Sequence, residues 1–459
     1  MKTIALPQKN IANLWGNCTK ENNKVFRLMQ YVLKEEVDEN VLLHNVVTGH
    51  LVKLDSHEVD ILNVLPMQYN SALDQLIDAH FLVPLDFNEY QLVVNLYNVL
   101  RKIRASWEEK SITHYTILPT SSCNARCYYC FEHGTKTSTM SDKTIDDVVK
   151  FIDANCVEKR KIRISWFGGE PTVASSQIDK ICKGLIEKRI EFVSDMTTNG
   201  YLFDERMINQ AVHLWNLKNV MICLDGTELT YNKVKSYVNT NDSPFLRVMR
   251  NIGFLLENKI FVHIRMNFDL NNYYEFGDLV KEIDRRFHQN PLLRVSVHPV
   301  IGEHKDHDGI ILHGNDEWFE EKTVELNDII RNTSYFDEFD KLPSLNFTGC
   351  QASNNSSVTI TPDGDLVKCP EQFGENQIIG NIRDGISNHN LVQSWKQLGH
   401  YEKCIKCTLF PACMKIENCG VKNYCSSYLE LSKSFKSIIK TKFVNSKNHI
   451  IKEDINYDV

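Results

Sequence analysis

Short runs of alternating apolar and polar residues recur through the middle of the chain. They are HYTIL (114–118), KIRISWF (161–167), EFVSDMTTNG (191–200), VMICLDG (220–226), IFVHIRMNF (260–268) and LRVSVHPV (293–300). Period-two spacing predicts half-buried strands, and the stretches between the runs are long enough for a crossover helix and its loops. We therefore expect an α/β fold in which these strands form a partial parallel (β/α)6 barrel of the TIM type. In such barrels the functional residues lie at the carboxyl ends of the strands.

The first 110 residues have a different pattern, in which short β-type runs and short helical stretches follow one another. The predicted elements are two strands within 41–54, a capped helix from 55 to 65, a short helix from 71, a strand at 81–83 and an amphipathic helix at 92–103. The capped helix is predicted because Asp55, followed three residues later by Glu58, has the spacing of a capping box. This order of elements predicts a winged-helix-like module joined to the barrel by a linker helix.

The 459 residues are enough for about three domains, and changes in pattern set their predicted boundaries. The predicted domains are 1–110 for the N-terminal module with its linker helix, 111–340 for the barrel, 341–435 for a cysteine-rich domain and 436–459 for a tail. The tail is rich in lysine and is expected to be a helix that frays into solvent.

Charge and hydropathy exclude several classes of protein. A net charge of −7 gives no general attraction to nucleic acid or to anionic membrane surfaces. No apolar run approaches the roughly 18–20 residues of a membrane span, and the N-terminus lacks the apolar segment of a signal peptide. We expect a cytoplasmic protein with neither nucleic acid nor membrane as a partner.

Ten of the 14 cysteines lie in two groups, which is typical of metal ligands in a reducing compartment. The first group is CNARCYYC, in which Cys123, Cys127 and Cys130 come directly after the first predicted strand. Iron–sulfur clusters are normally held by four thiolates. A loop with three thiolates therefore predicts either a fourth ligand elsewhere or an iron that is kept open for a small molecule.

The second run ends in the sequence GGEP, at residues 168–171. Its two glycines allow a backbone to approach a ligand closely, its proline fixes the turn, and Glu170 can accept a hydrogen bond from an ammonium group. On its own, GGEP is also typical of a tight strand-to-helix turn. After CNARCYYC on the preceding β/α unit, it resembles the radical S-adenosylmethionine (SAM) superfamily, and the resemblance covers about 112–310.

In that family three cysteines ligate a four-iron, four-sulfur (4Fe-4S) cluster, and the amino and carboxylate groups of SAM bind the open iron. The resemblance therefore implies that the loop cysteines hold this cluster and that Tyr129 lies near the adenine. It implies that the amino group of SAM is bound by Gly168, Gly169, Glu170 and Pro171. It places the ribose and carboxylate contacts at Thr198, Asn199, Cys223, Lys235, Arg265 and Asn267.

The chain departs from similar relatives at two of these positions, since they usually carry Ser in place of Cys223 and Arg in place of Lys235. A lysine pairs with a carboxylate as a point charge rather than as a bidentate fork. Structural readings also stay open, in which Asn199 is a turn residue, Arg265 forms a surface ion pair and Asn267 makes a strand-end hydrogen bond.

The second group of cysteines resembles the SPASM extension of peptide-modifying radical SAM enzymes. The family pattern assigns one auxiliary cluster, auxiliary II, to Cys404, Cys407, Cys413 and Cys425, and the other, auxiliary I, to Cys350, Cys369 and Cys419. Relatives often supply an eighth cysteine shortly before the first of these, whereas SLNFTG at 344–349 has none. Auxiliary I is therefore expected to have an open iron. Zinc stays an alternative, because CxxC with two further cysteines also suits a tetrahedral zinc site.

The implied cofactors are SAM and three 4Fe-4S clusters. SPASM relatives act mostly on peptides or protein side chains, and the N-terminal pattern resembles the precursor-recognition domain of many maturases, which bind a leader peptide as an added strand. We expect an enzyme that binds a leader through residues 25–90 and cross-links the core of a ribosomally made precursor peptide. A thioether of the sactipeptide or ranthipeptide type is the first choice and a carbon–carbon link the second. A flavodoxin or ferredoxin is the expected electron donor.

Two other functions stay open. A sulfatase-type maturase that makes formylglycine shares both cysteine patterns, although such relatives usually begin close to their first cluster loop and here about 110 residues precede it. A non-catalytic iron–sulfur scaffold or electron carrier would keep the clusters without turning over SAM. No catalytic acid or base is assigned, and His298 at a strand end is expected to be a packing residue.

Overall fold

The structure is a computed structural model whose contacts divide the chain into two compact units. It describes residues 1–16, 20–107, 111–132, 137–156, 161–238, 240, 242–300, 305, 307–308, 316–331, 333–335, 342–372, 374–399, 402–414, 416–419, 436, 438–440, 442–444 and 446. The first unit consists of Met1–Trp107, Glu338–Gly349 and Leu398–Val459, and the second of Glu108–Asp337 and Cys350–Gln397. Residues of 341–435 contribute to both units, and the domain boundaries drawn from the sequence stay a prediction.

The N-terminal part of the first unit contains two small antiparallel sheets with helices. Its elements are β1 (Lys2–Ala5), α1 (Lys9–Trp15), β2 (Val25–Leu28), β3 (Val32–Val37), β4 (Asn40–Asn45), β5 (Leu51–Lys53), α2 (Ser56–Val64), β6 (Met67–Gln68), a 3₁₀ helix (Ser71–Leu73), α3 (Asp74–Asp78), β7 (Leu82–Pro84) and α4 (Glu89–Trp107). The larger sheet has the order β1-β5-β4-β3 and the smaller the order β6-β2-β7. The elements predicted from 41 to 103 are present, whereas β1, α1, β2, β3 and β6 lie where none was predicted.

Helix α2 begins where the sequence predicts. The Asp55 carboxylate accepts a hydrogen bond from the backbone N–H of Glu58 at 3.1 Å, and the Glu58 carboxylate accepts one from the backbone N–H of Asp55 at 2.9 Å. N–H groups at the start of a helix have no partner within the helix, so these bonds stabilise it. The predicted capping box is confirmed.

The second unit is built on a mixed sheet. Its elements are β8 (His114–Ile117), α5 (Asp142–Asn155), β9 (Ile162–Trp166), a 3₁₀ helix (Pro171–Ala174), α6 (Ser175–Glu187), β10 (Phe192–Thr198), α7 (Glu205–His213), β11 (Leu217–Cys223), α8 (Glu228–Lys235), α9 (Pro244–Glu257), β12 (Phe261–Phe268), a 3₁₀ helix (Tyr273–Glu275), α10 (Phe276–Phe287), β13 (Leu293–Pro299), α11 (Asp316–Arg331), a 3₁₀ helix (Gln351–Ser353), β14 (Ser357–Ile360), β15 (Asp365–Val367), a 3₁₀ helix (Glu375–Gln377), β16 (Gly380–Asn381), β17 (Gly385–Ile386) and α12 (His389–Ser394).

The strand order of this sheet is β13-β12-β11-β10-β9-β8-β14-β15-β16-β17. The six predicted runs are strands β8 to β13, and each pairs in parallel with its neighbour in the chain. Strand β14 adds to β8 in parallel, and β15 to β17 continue as antiparallel strands. The α/β fold is therefore confirmed, and the parallel part carries an extension that the sequence pattern did not predict.

The two faces of the parallel strands differ in polarity. On β9, Ile164 and Trp166 are fully buried and belong to the apolar core that includes side chains of α5 and α6. The intervening Ser165 lies on the other face, where its hydroxyl is 2.9 Å from Nε2 of His114 on β8. Because side chains alternate along a strand, the opposite face collects polar groups. That polar face leads to the carboxyl ends where the candidate site lies.

The first unit also contains α13 (Glu402–Ile405), α14 (Phe410–Cys413) and helical residues near the C-terminus. Ile439 and Phe443 are 1% and 4% exposed and belong to a cluster with Leu42 and Val46. The expectation that the tail frays into solvent is wrong for these residues, because apolar side chains four apart line one face of a helix. No helix in the described part of the chain is long and apolar enough to cross a membrane.

Candidate functional site

The three cysteines of CNARCYYC lie in the loop after β8, here called the cluster loop (residues 123–130). The backbone N–H of Cys130 donates to the carbonyl of Cys127 at 3.1 Å, and the N–H of Ala125 donates to Sγ of Cys123 at 3.4 Å. Burial raises the pKa of the Cys123 thiol to about 11 and that of the Cys127 thiol to about 12. Thiolates, which are the ligand form of cysteine, therefore need positive charge nearby.

The GGEP sequence packs against the segment that enters the cluster loop. The backbone N–H of Gly169 donates to the carbonyl of Thr120 at 3.2 Å. A Cβ atom on Gly169 would lie 2.5 Å from the carbonyl oxygen of Ser121, and one on Gly168 would overlap the carbonyl oxygen of Thr120. The two glycines are therefore required by the close approach of two backbones.

The Glu170 carboxylate ties GGEP to the end of β10. One oxygen accepts from the backbone N–H of Thr172 at 3.0 Å and from the hydroxyl of Thr198 at 2.7 Å. The other accepts from the backbone N–H of Asn199 at 2.7 Å. Burial raises the pKa of Glu170, and these hydrogen bonds act against that shift. The predicted contact between GGEP and an amino group stays a prediction, since this carboxylate bonds protein groups on both oxygens.

Asn199 connects the end of β10 to the cluster loop. Its side-chain N–H donates to Oδ1 of Asn124 at 2.7 Å, and its Oδ1 accepts from the backbone N–H of Tyr201 at 3.0 Å. Asn124 was not predicted as a site residue, although it lies next to Cys123 within CNARCYYC. Its Nδ2 atom is buried and has no hydrogen-bond partner among the described residues.

Tyr129 of the cluster loop is held by a buried polar network. Its hydroxyl accepts from Nζ of Lys235 at 2.7 Å and from Nδ2 of Asn267 at 3.2 Å, and it donates to the Asp225 carboxylate. Lys235 and Asp225 form an ion pair, with 2.6 Å between Nζ and Oδ2. Asp225 was missed by the sequence reasoning, and the signal that could have found it is its place at the end of the fourth run, in LDG.

Strands β11 to β13 bring three further polar side chains to neighbouring positions. Cys223 pairs with Arg265 in register, and Asn267 pairs with His298. Nε of Arg265 is buried without a hydrogen-bond partner in the described part of the chain. Burial and the nearby Arg265 charge lower the pKa of His298 to about 4, and its Nδ1 lies 2.8 Å from the carbonyl of Pro299. His298 is therefore neutral at pH 7, and its packing role stays a prediction.

Hydrogen bonds, strand register and close backbone contacts thus link most of the predicted SAM contacts near the carboxyl ends of β8 to β13. The linked residues are Tyr129, Gly168, Gly169, Glu170, Thr198, Asn199, Cys223, Lys235, Arg265 and Asn267. Pro171 begins the 3₁₀ helix that follows. Their roles as SAM contacts stay predictions.

Comparison with known families identifies the part of the chain that carries this site. Residues 117–283 match the family described as the radical SAM superfamily. The chain carries a radical SAM domain. The domain includes the cluster loop, GGEP, the strands β9 to β12 and the polar network around Tyr129.

Two curated proteins are similar to this chain over a stretch longer than the domain. A GTP 3',8-cyclase from Clostridium perfringens (strain SM101 / Type A) is 26% identical over 311 residues, which are 64% of this chain and 91% of that protein. A cysteine-type anaerobic sulfatase-maturating enzyme from Clostridium novyi (strain NT) is 26% identical over 338 residues, which are 66% of this chain and 87% of that protein.

Solved structures share the fold of this chain over a stretch longer than the radical SAM domain. The structure of anSMEcpe with bound AdoMet (SAM) aligns with a TM-score of 0.56 and 18% identity, covering 73% of this chain and 98% of that one. SuiB from Streptococcus suis bound to SAM aligns with a TM-score of 0.51 and 18% identity, covering 88% and 98%. At 18% identity these alignments show a shared fold and do not show a shared function.

The residues of the radical SAM domain fit the cofactors that such a domain implies. The cluster loop offers three thiols, and the raised pKa values of Cys123 and Cys127 mean that a cationic metal cluster would stabilise their thiolates. Nδ2 of Asn124 and Nε of Arg265 are buried donors that suit the acceptor groups of SAM. Among the described residues no three His, Cys, Asp or Glu side chains could hold one metal ion. A 4Fe-4S cluster places its thiolates on different irons.

The C-terminal cysteines belong to both units. Cys350 and Cys369 lie in the second, and Cys404, Cys407, Cys413 and Cys419 in the first, while Cys425 lies outside the described residues. The backbone N–H of Cys407 donates to the carbonyl of Cys404 at 3.2 Å, so the CxxC sequence forms a tight turn. The auxiliary clusters and the zinc alternative stay predictions.

Proposed function

We propose that this radical SAM protein is an enzyme that cross-links a ribosomally made precursor peptide. The observation that carries the proposal is the hydrogen-bonded junction of the cluster loop, GGEP and the ends of β10 to β12, in a chain that also has a separate sheet-and-helix module at its N-terminus. The hydrogen-bonded junction supports radical chemistry, and the N-terminal module supports a peptide substrate.

In the radical SAM domain, Cys123, Cys127 and Cys130 would hold a 4Fe-4S cluster. When bound, the cluster and SAM supply a 5′-deoxyadenosyl radical that removes a hydrogen atom from an unactivated carbon. The protein's own residues position and shield this chemistry. Glu170 and Asn199 hold GGEP, the end of β10 and the cluster loop together through hydrogen bonds. Arg265 offers a buried hydrogen-bond donor on the polar face of the sheet.

The N-terminal module would hold the leader of the precursor. Strand β3 is at one end of the order β1-β5-β4-β3, so within the described part of the chain its one strand neighbour in this sheet is β4. A free strand edge presents backbone N–H and C=O groups that an extended peptide can pair with. SuiB from Streptococcus suis has been solved with its precursor peptide SuiA, and it aligns with this chain at a TM-score of 0.50 and 17% identity. We propose the outer edge of β3 as the leader site within residues 25–90.

The C-terminal cysteines would complete the reaction. Forming a thioether removes a hydrogen atom from carbon and a proton from the thiol, and it leaves one electron over. Auxiliary clusters held by Cys350, Cys369 and Cys419 and by Cys404, Cys407, Cys413 and Cys425 would accept that electron, because their potentials are set by ligation and burial. A flavodoxin or ferredoxin would supply the first electron.

A second candidate is the formation of formylglycine in a sulfatase. The similarity to the Clostridium novyi sulfatase-maturating enzyme favours it, since it extends over 66% of this chain. The two activities differ in product. A thioether lowers the mass of a peptide by two hydrogens and blocks the thiol, whereas formylglycine replaces the side chain of a Cys or Ser by an aldehyde.

Mass spectrometry decides between these functions. The full-length protein, reconstituted anaerobically and reduced with dithionite, is incubated with SAM and a Cys-containing short peptide encoded beside its gene. A peptide lighter by two hydrogens per link that resists thiol alkylation supports the cross-linking proposal. An aldehyde product supports the sulfatase-type activity. Failure of the reduced protein to bind SAM would favour a non-catalytic scaffold.

A further inference from the structure

Asp225 and Lys235 form a deeply buried ion pair of the site. The side chains are 0% and 4% exposed, and Nζ lies 2.6 Å from Oδ2. Asp225 follows β11, whereas Lys235 is the last residue of α8, so the pair joins the two ends of one loop-and-helix segment. Two buried opposite charges stabilise each other, but either one left alone in such surroundings is strongly unfavourable.

Both partners of the pair hold the cluster loop. Nζ of Lys235 donates to the hydroxyl of Tyr129 at 2.7 Å and lies 5.3 Å from the centre of its ring. The carbonyl of Lys235 accepts from the backbone N–H of Arg126 at 2.8 Å. The backbone N–H of Val238 donates to the carbonyl of Asn124 at 2.9 Å. Residues 235–238 thus form a strap across the loop that carries the three cysteines.

The same pair places two charges beside a cluster cysteine. Nζ of Lys235 and the Asp225 carboxylate both bond the hydroxyl of Tyr129, which comes two residues after Cys127 in the cluster loop. Two bonds from Nζ, to Asp225 and Tyr129, already use part of the hydrogen-bonding capacity of the ammonium group. Lys235 is therefore occupied by protein groups at the position where the family resemblance implies a contact with the carboxylate of SAM.

We propose that Asp225 and Lys235 are a positioning pair that fixes the cluster loop and sets the reduction potential of the cluster bound there. The inference rests on the proposed cluster at Cys123, Cys127 and Cys130. A reduced cluster carries one more negative charge than an oxidised one, so a neighbouring positive charge favours reduction and a negative charge opposes it. In the intact pair the two charges offset each other, so the potential is held between the values that either charge alone would give.

The test measures reduction potentials in the full-length, reconstituted protein. An EPR-monitored redox titration is made for the wild type and for the Asp225→Asn, Lys235→Met and Asp225→Asn/Lys235→Met variants, and the signal that changes on addition of SAM identifies the loop cluster. Asp225→Asn should shift its midpoint to higher potential, Lys235→Met should shift it to lower potential, and the double variant should return towards the wild type. Lys235→Arg, which keeps the charge, should stay near the wild type.

Asp179→Asn serves as a matched control. Asp179 lies on α6 and accepts from Nε1 of Trp215 at 2.7 Å, so this variant also removes one charge from a hydrogen-bonded aspartate. It should leave the midpoint unchanged. If a single variant lost its cluster, recovery of iron in the double variant would support the pairing, whereas a folded double variant without a loop cluster would overturn it.

Other outcomes separate the inference from the proposed function. Shifts of the same sign in both single variants, or no shift in either, would overturn the inference while the cluster itself remained. A wild-type protein whose EPR signal does not respond to SAM would instead contradict the proposed function.

Discussion

The Glu170 carboxylate accepts a hydrogen bond from the backbone N–H of Asn199 over 2.7 Å, which ties the turn after β9 to the end of β10. Its other oxygen accepts from the backbone N–H of Thr172 at 3.0 Å. Both oxygens therefore face backbone donors, which cannot rotate away as hydroxyl groups can. Other side chains cannot readily replace the Glu170 carboxylate, because this position needs a hydrogen-bond acceptor on each side.

Replacing Glu170 by Gln should destabilise the site. In either orientation the amide places its NH₂ group against one of the two backbone N–H groups, and we expect a loss of about 1–3 kcal/mol in the free energy of unfolding, with weaker SAM binding. Chemical denaturation and calorimetric titration with SAM measure the two effects. Glu187→Gln, at the exposed end of α6, is the control and should change neither. Equal behaviour of the two variants would contradict the role assigned to Glu170.

Replacing Gly169 by Ala should displace the cluster loop. The added Cβ would lie 2.5 Å from the carbonyl oxygen of Ser121, which is backbone and cannot move alone. We expect a loss of about 1–3 kcal/mol in the free energy of unfolding and a lower iron content after reconstitution. In the control Gly253→Ala, the nearest atom is 3.9 Å away, and helix α9 should gain about 0.5–1 kcal/mol. Full iron content in Gly169→Ala would show that the close approach is dispensable.

The stability of the protein should fall below pH 6.5, in part because of His44. Burial lowers the pKa of His44 to about 4, and Nε2 lies 2.7 Å from the carbonyl of Pro343. The unfolded chain takes up a proton near pH 6.5 while the folded chain does not, so this residue lowers the free energy of unfolding as the pH falls towards 4. Between pH 7 and pH 5 the effect is about 2 kcal/mol.

The variant His44→Gln tests this pH dependence, because Gln keeps a donor for Pro343 without titrating. Denaturation at pH 7 and pH 5 should give a smaller loss of stability for His44→Gln than for the wild type. His57→Gln, at an exposed position of α2, should behave as the wild type. An unchanged pH dependence in His44→Gln would refute the assignment.

Leader binding should protect one edge of the N-terminal sheet. If the precursor adds as a strand to β3, the backbone amides within Val32–Val37 should exchange more slowly in its presence, by about tenfold for about 1.4 kcal/mol of added local stability. Strand β1 (Lys2–Ala5), at the other end of the sheet, is the internal control. Hydrogen-exchange mass spectrometry of the full-length protein measures both. Protection of β1 without protection of β3 would place the leader elsewhere.

Local patterns allowed much of the fold to be predicted. The six strands of the parallel sheet could be found because each alternates in polarity, and α2 could be found from the spacing of Asp55 and Glu58. Strand β3 was missed because VLKEEV places two acidic residues side by side and breaks the alternation. The buried tail was missed because lysines surround Ile439 and Phe443, which meet an apolar cluster only in the folded chain.

The candidate site was predictable in its motifs but not in its connections. CNARCYYC and GGEP could be recognised by spacing, whereas the pairing of Asp225 with Lys235 depends on how a loop and a helix return to the cluster loop. The role of Asn124 could not be predicted either, because its hydrogen-bond partner Asn199 is 75 residues away in the chain. Such contacts depend on tertiary structure, which spacing within one motif does not encode.

The most direct test of the radical SAM assignment measures 5′-deoxyadenosine formed from SAM by the reconstituted protein under dithionite. The wild type and Cys182→Ala, which changes a buried cysteine of α6, should both form it, and Cys127→Ala should form none. Formation by Cys127→Ala at a rate near that of the wild type would contradict the assignment of the cluster loop, and so would its absence from the wild type.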